Sequence, residues 1–209
     1  MKGHLITVEG VEGAGKTTQA ARLADALRRD GREVVLTREP GGTELGRTLR
    51  RMLLDESTPG PTPETELLLY LADRAEHVRR LVAPAVDRGA IVIADRFSDS
   101  TIAYQSYGRG LALATVRAID AFARGHMAPT LTFVLDLAPE AGLARARQVG
   151  PADRLESEAL EFHRRVRDGF HAIAHAEPDR VEVVDATLEV DEIARRIVRR
   201  TRDRLAEDR

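Results

Sequence analysis

The chain of 209 residues contains no cysteine and no tryptophan, and aromatic residues make up only 4% of it. Without cysteine it forms neither disulfide bonds nor thiolate metal sites, and this composition fits a reducing compartment. No apolar run approaches the roughly 18 residues that a membrane-spanning helix needs. The N-terminus also lacks the apolar segment of a secretion signal. We therefore expect a cytoplasmic protein that has no membrane partner.

A strong excess of one charge is also missing, because acidic and basic residues are mixed and the net charge is −2. Such a surface has no general attraction for nucleic acid, and we expect no nucleic-acid partner. Several arginines lie near the C-terminus, but acidic residues separate them, which favours a solvated helix. His171 and His175 have the spacing of one helical face, yet no third metal ligand is suitably placed, so we expect both on the helix surface.

The most informative pattern that is present lies near the N-terminus. Gly10-Val11-Glu12-Gly13-Ala14-Gly15-Lys16-Thr17 fills the phosphate-loop pattern G-x-x-x-x-G-K-[ST] at every required position. Glycines let backbone N–H groups approach a phosphate chain, and the start of the following helix adds its positive dipole end. We predict that this loop, extended to Thr18, binds a nucleoside triphosphate. Lys16 would reach the β- and γ-phosphates, and the Thr17 hydroxyl would bind Mg²⁺.

Short apolar segments alternate with segments of helical spacing, and no linker or internal repeat divides the chain. Strands are predicted at residues 4–9, 33–37, 90–94, 131–135 and 181–184, and the main helices at 18–27, 43–54, from Thr62 and Pro63 to about Val82, and at 190–205. This alternation is typical of a parallel sheet. We predict a single α/β domain over residues 1–209, in which helices cover both faces of a five-stranded parallel sheet in three layers.

Further motifs follow the predicted strands, where an open parallel sheet binds its ligands. They are Arg38-Glu39-Pro40-Gly41-Gly42-Thr43, then Asp95-Arg96-Phe97, and then Ser100-Thr101-Ile102-Ala103-Tyr104-Gln105. Tyr70 and Arg74 share one face of the long helix. Together these motifs supply positive charges, carboxylates, an aromatic ring and hydrogen-bonding groups. They indicate a second ligand that carries a phosphate and a flat ring.

In this order, the motifs resemble those of bacterial thymidylate kinases, in the branch whose catalytic arginines lie in a lid segment. The resemblance extends over essentially the whole chain and includes an arginine-containing lid candidate at about residues 143–156. It implies a P-loop nucleoside monophosphate kinase fold and Mg²⁺-dependent transfer of the ATP γ-phosphoryl group to dTMP. It also implies a homodimer. Candidate interface residues are Leu49, Leu53, Leu67, Leu68 and Leu71, although the same pattern would serve an intramolecular core.

The resemblance also implies roles for individual residues in dTMP binding. Arg96 and Arg50 would hold the phosphate, and Arg74 the edge of the base. Thr101 and Gln105 would contact thymine, Tyr104 would lie against the sugar, and Tyr70 would stack on the ring where the family often has Phe. Glu12 and Glu39 would face the sugar hydroxyl and the metal–phosphate region, and Pro40 is a further implied dTMP-binding residue. Tyr70 could instead be only a core residue.

Catalysis of phosphoryl transfer needs positive charge on the moving group more than covalent help. Besides Lys16 and Arg96, the candidates lie in the lid segment. Arg154 is the first choice because it stands in a D-R-L-E stretch similar to that of the family, and Arg147 is the second. For Arg145, and equally for Arg50 and Arg51 on another helix, a solvent-exposed position is an open alternative. Asp95 would bind Mg²⁺ directly or through water, or else cap the next helix.

Two other functions remain open on the sequence alone. One is a different nucleoside monophosphate kinase on the same fold, for which a preference for a purine acceptor would be diagnostic. The other is a nucleotide-binding regulatory module that has lost phosphoryl transfer. Lys16, the Asp95-Arg96 pair and the lid arginines argue against such a module.

Overall fold

A computed structural model describes residues 3–55, 60–148, 150 and 153–207 of the chain. Its strands are β1 (His4–Gly10), β2 (Val34–Arg38), β3 (Ile91–Asp95), β4 (Leu131–Asp136) and β5 (Val181–Asp185). All four neighbouring pairs are parallel, and the strand order is β2-β3-β1-β4-β5. The predicted five-stranded parallel sheet is therefore confirmed, with strand ends displaced by at most one residue from those expected.

The helices are α1 (Lys16–Arg29), α2 (Glu44–Leu54), α3 (Pro63–His77), α4 (Ala83–Asp87), α5 (Ser98–Thr101), α6 (Leu113–Arg124), α7 (Pro139–Arg147), α8 (Leu160–Ala176) and α9 (Val190–Glu207). Two segments of wider π-helical turns continue α3 and α5, at Val78–Val82 and Ile102–Gly108. The helix expected to end near Val82 therefore passes through a π-helical segment and continues to Asp87. None of the helices in the described ranges is long and apolar enough to cross a membrane.

Apolar side chains of the central strands alternate between the two faces of the sheet. Ile6 and Ile93 face the side covered by α1, where Leu23 packs. Leu5 and Val92 point to the opposite side, where Val82 packs. Since successive residues of a strand point to opposite faces, a strand buried on both sides is predominantly apolar. Helices on both faces give the predicted three layers.

Two helices that carry site residues begin at side-chain caps. The Thr43 hydroxyl accepts a hydrogen bond from the Gly46 N–H at 3.0 Å and starts α2. The Thr62 hydroxyl accepts one from the Thr65 N–H at 3.4 Å, and Pro63 occupies the first turn of α3. Threonine caps and a first-turn proline are favourable because the N–H groups there lack helical partners. The helix start predicted at Thr62 and Pro63 is therefore confirmed, whereas the cap at Thr43 was not predicted.

Most of the candidate interface leucines are core residues of the single chain. Leu49, Leu53, Leu67 and Leu71 are buried, whereas Leu68 is 57% exposed. Leu67 and Leu71 pack with residues of α6. The intramolecular alternative is thus correct for four of the five residues. The C-terminal helix α9 carries ion pairs at its surface, as in the contact of Arg202 with Asp30 at 2.8 Å.

Candidate active site

The phosphate loop joins β1 to α1 in a conformation that depends on glycine. Gly13 and Gly15 have φ angles of 66° and 91°, in the region that side chains disfavour. A Cβ atom at Gly13 would also lie 2.0 Å from the carbonyl oxygen of Gly142. Lys16 opens α1 and donates a hydrogen bond to the Val11 carbonyl at 2.6 Å, so its ammonium group lies over the loop. Thr18 is exposed on the first turn of the helix.

The ammonium group of Lys16 is buried among charges of both signs. Burial, followed by the nearby charge of Arg96, lowers the pKa of Lys16 from 10.5 to about 8, against the opposing charge of Glu12. A triphosphate would reverse this shift, because negative phosphate oxygens favour the protonated amine. The loop is therefore suited to a strongly negative ligand, which adds to the negative charge of Glu12 beside Lys16.

Thr17 and Asp95 bring two oxygen donors together at the start of α1. The Thr17 hydroxyl donates to the Asp95 carboxylate at 2.5 Å. Hydroxyl and carboxylate oxygens suit a hard cation such as Mg²⁺, which keeps several waters and binds few protein groups. Within the described chain, α5 begins without a side-chain cap, so Asp95 does not cap that helix. The donor chemistry therefore fits the predicted metal role of both residues.

Arg96 directly follows β3 and is the one non-glycine residue in the described chain with a positive φ, 73°. Such a conformation is costly and is retained mainly where the surroundings require it. Its N–H donates to the Val8 carbonyl at 3.1 Å, and its guanidinium donates to Glu12 at 2.8 Å and to the Tyr104 hydroxyl at 3.1 Å. The turn thus directs the guanidinium group of Arg96 towards the phosphate loop.

Glu12 is the acceptor that joins the phosphate loop to the second set of motifs. The Tyr104 hydroxyl donates to the Glu12 carboxylate at 2.6 Å, and His163 lies 3.5 Å from the other carboxylate oxygen. Burial opposes ionisation, but Arg96, followed by His163, outweighs it, and the pKa of Glu12 lies well below its usual range. Glu12 is therefore a charged hydrogen-bond acceptor within the loop.

A second carboxylate, that of Glu9 on β1, holds the segment that follows β3. It accepts hydrogen bonds from the Phe97 N–H at 2.7 Å and from the Ser100 hydroxyl at 2.5 Å. Burial, followed by the charge of Asp99, raises the pKa of Glu9 from 4.5 to about 7. Sequence reasoning missed this residue, although a carboxylate in a strand predicted to be buried was a usable signal.

Arg74 is the centre of a buried ion-pair network at the other end of the site. Its guanidinium donates to Glu39 at 2.9 Å, and to Thr101 and Asp120 at 2.7 Å each. Nη2 of Arg74 also contacts Glu39. Within the described residues, this leaves one of the two Nη2 hydrogens for a ligand. His77 also contacts Glu39 at 2.7 Å. The Glu39 oxygens are thus held by protein groups, although the residue was predicted to face the sugar.

A single cavity connects the phosphate loop with this network. Most of the predicted site residues line it: Glu12, Gly13, Lys16, Thr17, Glu39, Pro40, Arg50, Tyr70, Arg74, Asp95, Arg96, Thr101, Tyr104 and Gln105. Sequence reasoning did not assign six further lining residues, Arg38, Leu54, Ser100, Asp153, Leu155 and Glu156. Arg38 and Ser100 belong to motifs that were recognised, so only their individual roles were missed. Leu54 carried no signal.

Arg50 and Tyr70 each had an alternative interpretation. Arg50 is half-buried and donates to the Pro40 carbonyl at 3.1 Å; burial, followed by the charge of Arg38, lowers its pKa. It is therefore a cavity residue, whereas Arg51 is exposed. Tyr70 lines the cavity and also packs against the hydrophobic core. Tyr70 is thus both a cavity-lining residue and a residue packed against the core, and its stacking on a base stays a prediction.

The lid candidate contributes acidic residues to the cavity rather than its arginines. Among the described residues that line the cavity, Asp153 and Glu156 are present, while Arg147 and Arg154 are not. Arg154 donates to the Asp55 carbonyl and lines a neighbouring cavity, and Arg147 is exposed on α7. Arg145 donates to the Ala186 carbonyl at 3.1 Å. The lid residues Val149, Pro151 and Ala152 lie outside the described part of the chain.

Comparison with known proteins shows which family the chain resembles. The family model for thymidylate kinase matches residues 8–197. Over 192 residues, 92% of each chain, the sequence is 56% identical to the thymidylate kinase of Synechococcus sp. (strain JA-3-3Ab). It is 52% identical to that of Deinococcus radiodurans, covering 92% of this chain and 93% of the relative. The crystal structure of thymidylate kinase from Ehrlichia chaffeensis superposes with a TM-score of 0.78 at 34% identity, covering 95% of this chain and 98% of that one.

Proposed function

Because the chain belongs to the thymidylate kinase family, we propose that it transfers the γ-phosphoryl group of ATP to dTMP, giving ADP and dTDP. The family assignment makes it a nucleoside monophosphate kinase. One observation carries the residue assignments that follow: a single cavity joins the phosphate loop to a set of cations and to a polar site of mixed donors and acceptors. Such a cavity allows two nucleotides to meet end to end.

The phosphate loop, Gly10 to Thr18, binds ATP. Lys16 neutralises the β- and γ-phosphates, and backbone N–H groups of the loop bind the phosphate oxygens. Thr17 and Asp95 hold Mg²⁺ beside the triphosphate, directly or through water, because their oxygens suit that ion. When bound, the ion supplies positive charge to the β- and γ-phosphates.

The phosphate of dTMP lies among Arg96, Arg50 and Arg38, the cations that line the cavity beside the loop. An oxygen of this phosphate attacks the γ-phosphate of ATP in line. The attacking oxygen is already ionised at neutral pH, so the reaction needs no general base. The protein therefore contributes alignment and positive charge, which are the main requirements of phosphoryl transfer.

Thymine is recognised by a set of donors and one acceptor. The Arg74 Nη2 hydrogen and the Thr101 hydroxyl, which already accepts from Arg74, can both donate to the ligand. The Gln105 side chain donates through its nitrogen to Glu66, which leaves its carbonyl oxygen as the acceptor. Thymine presents two carbonyl oxygens on either side of the N3–H group, so its edge is complementary to this set. The Tyr70 ring stacks on the base.

The sugar of dTMP lies against Tyr104, whose hydroxyl donates to Glu12. Glu12 accepts a hydrogen bond from the sugar hydroxyl, while the Tyr104 ring crowds the position of a 2′-hydroxyl. Glu39 and Pro40 complete this side of the cavity. Glu39 acts there through Arg74 and His77, because these two residues hold its oxygens.

The transition-state cations are supplied by the lid, with Arg154 first and Arg147 second. Both must approach the cavity when the lid closes over the nucleotides, which would also exclude water and prevent ATP hydrolysis. We propose in addition that the protein forms a homodimer, with the exposed Leu68 in the interface. A cytoplasmic location remains a prediction from composition.

The assignment is tested by a coupled assay that offers dTMP, dUMP, UMP, CMP, AMP and GMP as acceptors with ATP and Mg²⁺. We expect dTMP to give the highest kcat/KM. A preference for a purine acceptor would show a different nucleoside monophosphate kinase. ATP binding without turnover on any acceptor would show a nucleotide-binding module. Lys16→Ala serves as the control and should abolish ATP-dependent turnover.

A further inference from the structure

The orientation of the Gln105 amide is fixed by a residue outside the cavity. Its Nε2 donates to Glu66 at 2.9 Å, and both side chains are buried. A carboxylate only accepts hydrogen bonds. The amide nitrogen of Gln105 must therefore face Glu66, and its carbonyl oxygen is available on the side of the cavity that Gln105 lines. Glu66 itself is not a lining residue of that cavity among the described residues.

Glu66 is in turn held by Arg109. The Nε and Nη2 groups of Arg109 donate to the two Glu66 oxygens at 3.1 and 2.8 Å, a two-pronged contact that fixes the plane of the carboxylate. The remaining guanidinium nitrogen donates to Glu158 at 2.5 Å. The Arg109 guanidinium also lies over the Phe162 ring, 4.7 Å from its centroid. The carboxylate therefore has a fixed position behind Gln105.

We propose that Glu66 is a positioning residue that sets pyrimidine specificity by holding the carbonyl oxygen of Gln105 towards the base. This inference rests on the proposed function, since it concerns the acceptor site for dTMP. Thymine and uracil carry a hydrogen on ring nitrogen N3, which the Gln105 carbonyl accepts. Cytosine has no hydrogen on N3, so the N3 lone pair would face the lone pairs of the Gln105 carbonyl oxygen. Glu66 thus makes Gln105 favour bases with an N3–H group.

Glu66→Gln tests this directly, because the change is isosteric and replaces an acceptor-only group by an amide. A glutamine at position 66 can donate to the Gln105 carbonyl, so the Gln105 amide is free to invert and present its NH₂ group to the base. We expect the ratio of kcat/KM for dTMP to that for dCMP to fall by about tenfold or more. The ratio for dTMP to dUMP should not change, since these bases share the same edge and differ only in a methyl group.

Glu158→Gln is the matched control. It makes the same chemical change on the other partner of Arg109 but does not touch Gln105. Both ratios should equal those of the wild type. A purely structural role for the network would lower activity on dTMP, dUMP and dCMP together in both variants and would leave the ratios unchanged. Thermal melting of both variants identifies loss of folding.

Should Glu66→Gln fail to fold, Arg109→Lys replaces it, since lysine cannot make the two-pronged contact with Glu66. For this variant we expect a smaller fall of the dTMP-to-dCMP ratio, about threefold.

Gln105→Leu separates failure of this inference from failure of the proposed function. If Gln105→Leu lowers the dTMP-to-dCMP ratio while folded Glu66→Gln leaves it intact, Gln105 recognises the base without help from Glu66, and the inference is wrong. If neither variant changes the ratio, Gln105 does not recognise N3, and the inference is again wrong. If the wild type does not phosphorylate dTMP at all, the proposed function itself fails.

Discussion

At the scale of single residues, burial and charge together decide which groups can change protonation near neutral pH. Lys16 is a buried amine whose ammonium form is opposed by burial and by Arg96 but favoured by Glu12. Phosphate-loop lysines must be charged to bind a triphosphate. In the free protein the pKa of Lys16 is about 8, so near that pH only part of the Lys16 amines are protonated. The bound phosphate favours the protonated form and so completes the protonation.

The affinity for ATP should therefore depend on pH above neutrality. With the pKa of Lys16 near 8 in the free protein, protonated Lys16 becomes scarce above that pH. ATP binding then has to be coupled to proton uptake, and the Kd should rise by up to about tenfold per pH unit above 8. Isothermal titration calorimetry of ATP binding between pH 7 and 9.5 measures this dependence.

Lys16→Arg is the appropriate control, because a guanidinium stays charged over that whole range. Its affinity for ATP, even if lower, should not vary between pH 8 and 9.5. A wild-type Kd that is flat over the same interval would show that Lys16 keeps its charge in the free protein.

At the scale of elements, the junctions between strands and the following loops determine the geometry of the site. The segment after β3 turns at Arg96 through a positive φ and is fastened to β1 by Glu9. Three hydrogen bonds from Phe97 and Ser100 reach this carboxylate. The arrangement keeps the Arg96 guanidinium over the phosphate loop at the expense of burying an acid.

This buried acid should make stability depend on pH in a defined window. The pKa of Glu9 is raised from 4.5 to about 7, so the folded state favours the protonated carboxyl group. The resulting contribution to the free energy of unfolding is fully present below pH 4.5 and is lost as the pH rises through 7. Relative to Glu9→Gln, the wild type should lose on the order of 3 kcal/mol of unfolding free energy between pH 4.5 and 8. Urea denaturation of both proteins across this range measures the difference. Parallel pH profiles would show that Glu9 ionises normally in the fold.

The elements themselves were largely predictable, because their causes are local. Apolar runs predicted the buried strands, and Thr62 with Pro63 predicted the start of α3. The π-helical segment at Ile102–Gly108, which packs against α8, was not predicted, because its residue spacing does not distinguish it from an α-helix. The ion pairs of Arg74 were not predictable either, as its partners Glu39 and Asp120 are distant in sequence.

At the scale of the whole molecule, the proposed function requires the lid arginines to approach the cavity, which Arg147 and Arg154 do not line in this structure. Most of the residues that line the cavity could be predicted from motifs, because strand ends of a parallel sheet meet at one edge. The position of Arg154 could not, because it lies between α7 and α8 and contacts a residue that is distant in sequence. In this structure Arg154 contacts the Asp55 carbonyl and lies in a neighbouring cavity.

Arg154→Ala should lower kcat by about 10³-fold or more and change the KM for ATP and dTMP much less, as expected for a cation that acts in the transition state. Arg164→Ala is the control, since Arg164 is an exposed residue paired with Glu140 on the surface; its kinetics should match the wild type. Steady-state kinetics on both variants decide the point. A change confined to KM would assign Arg154 to substrate binding instead.

The central claim is that two nucleotides meet in one cavity, with the acceptor phosphate facing the phosphate loop. A crystal structure with ADP, Mg²⁺ and dTMP tests it most directly. We predict that ADP lies on the loop from Gly10 to Thr18, and that dTMP has its phosphate among Arg38, Arg50 and Arg96 and its base between Tyr70 and Gln105. A dTMP molecule bound elsewhere, or with its phosphate pointing away from the loop, would contradict the account.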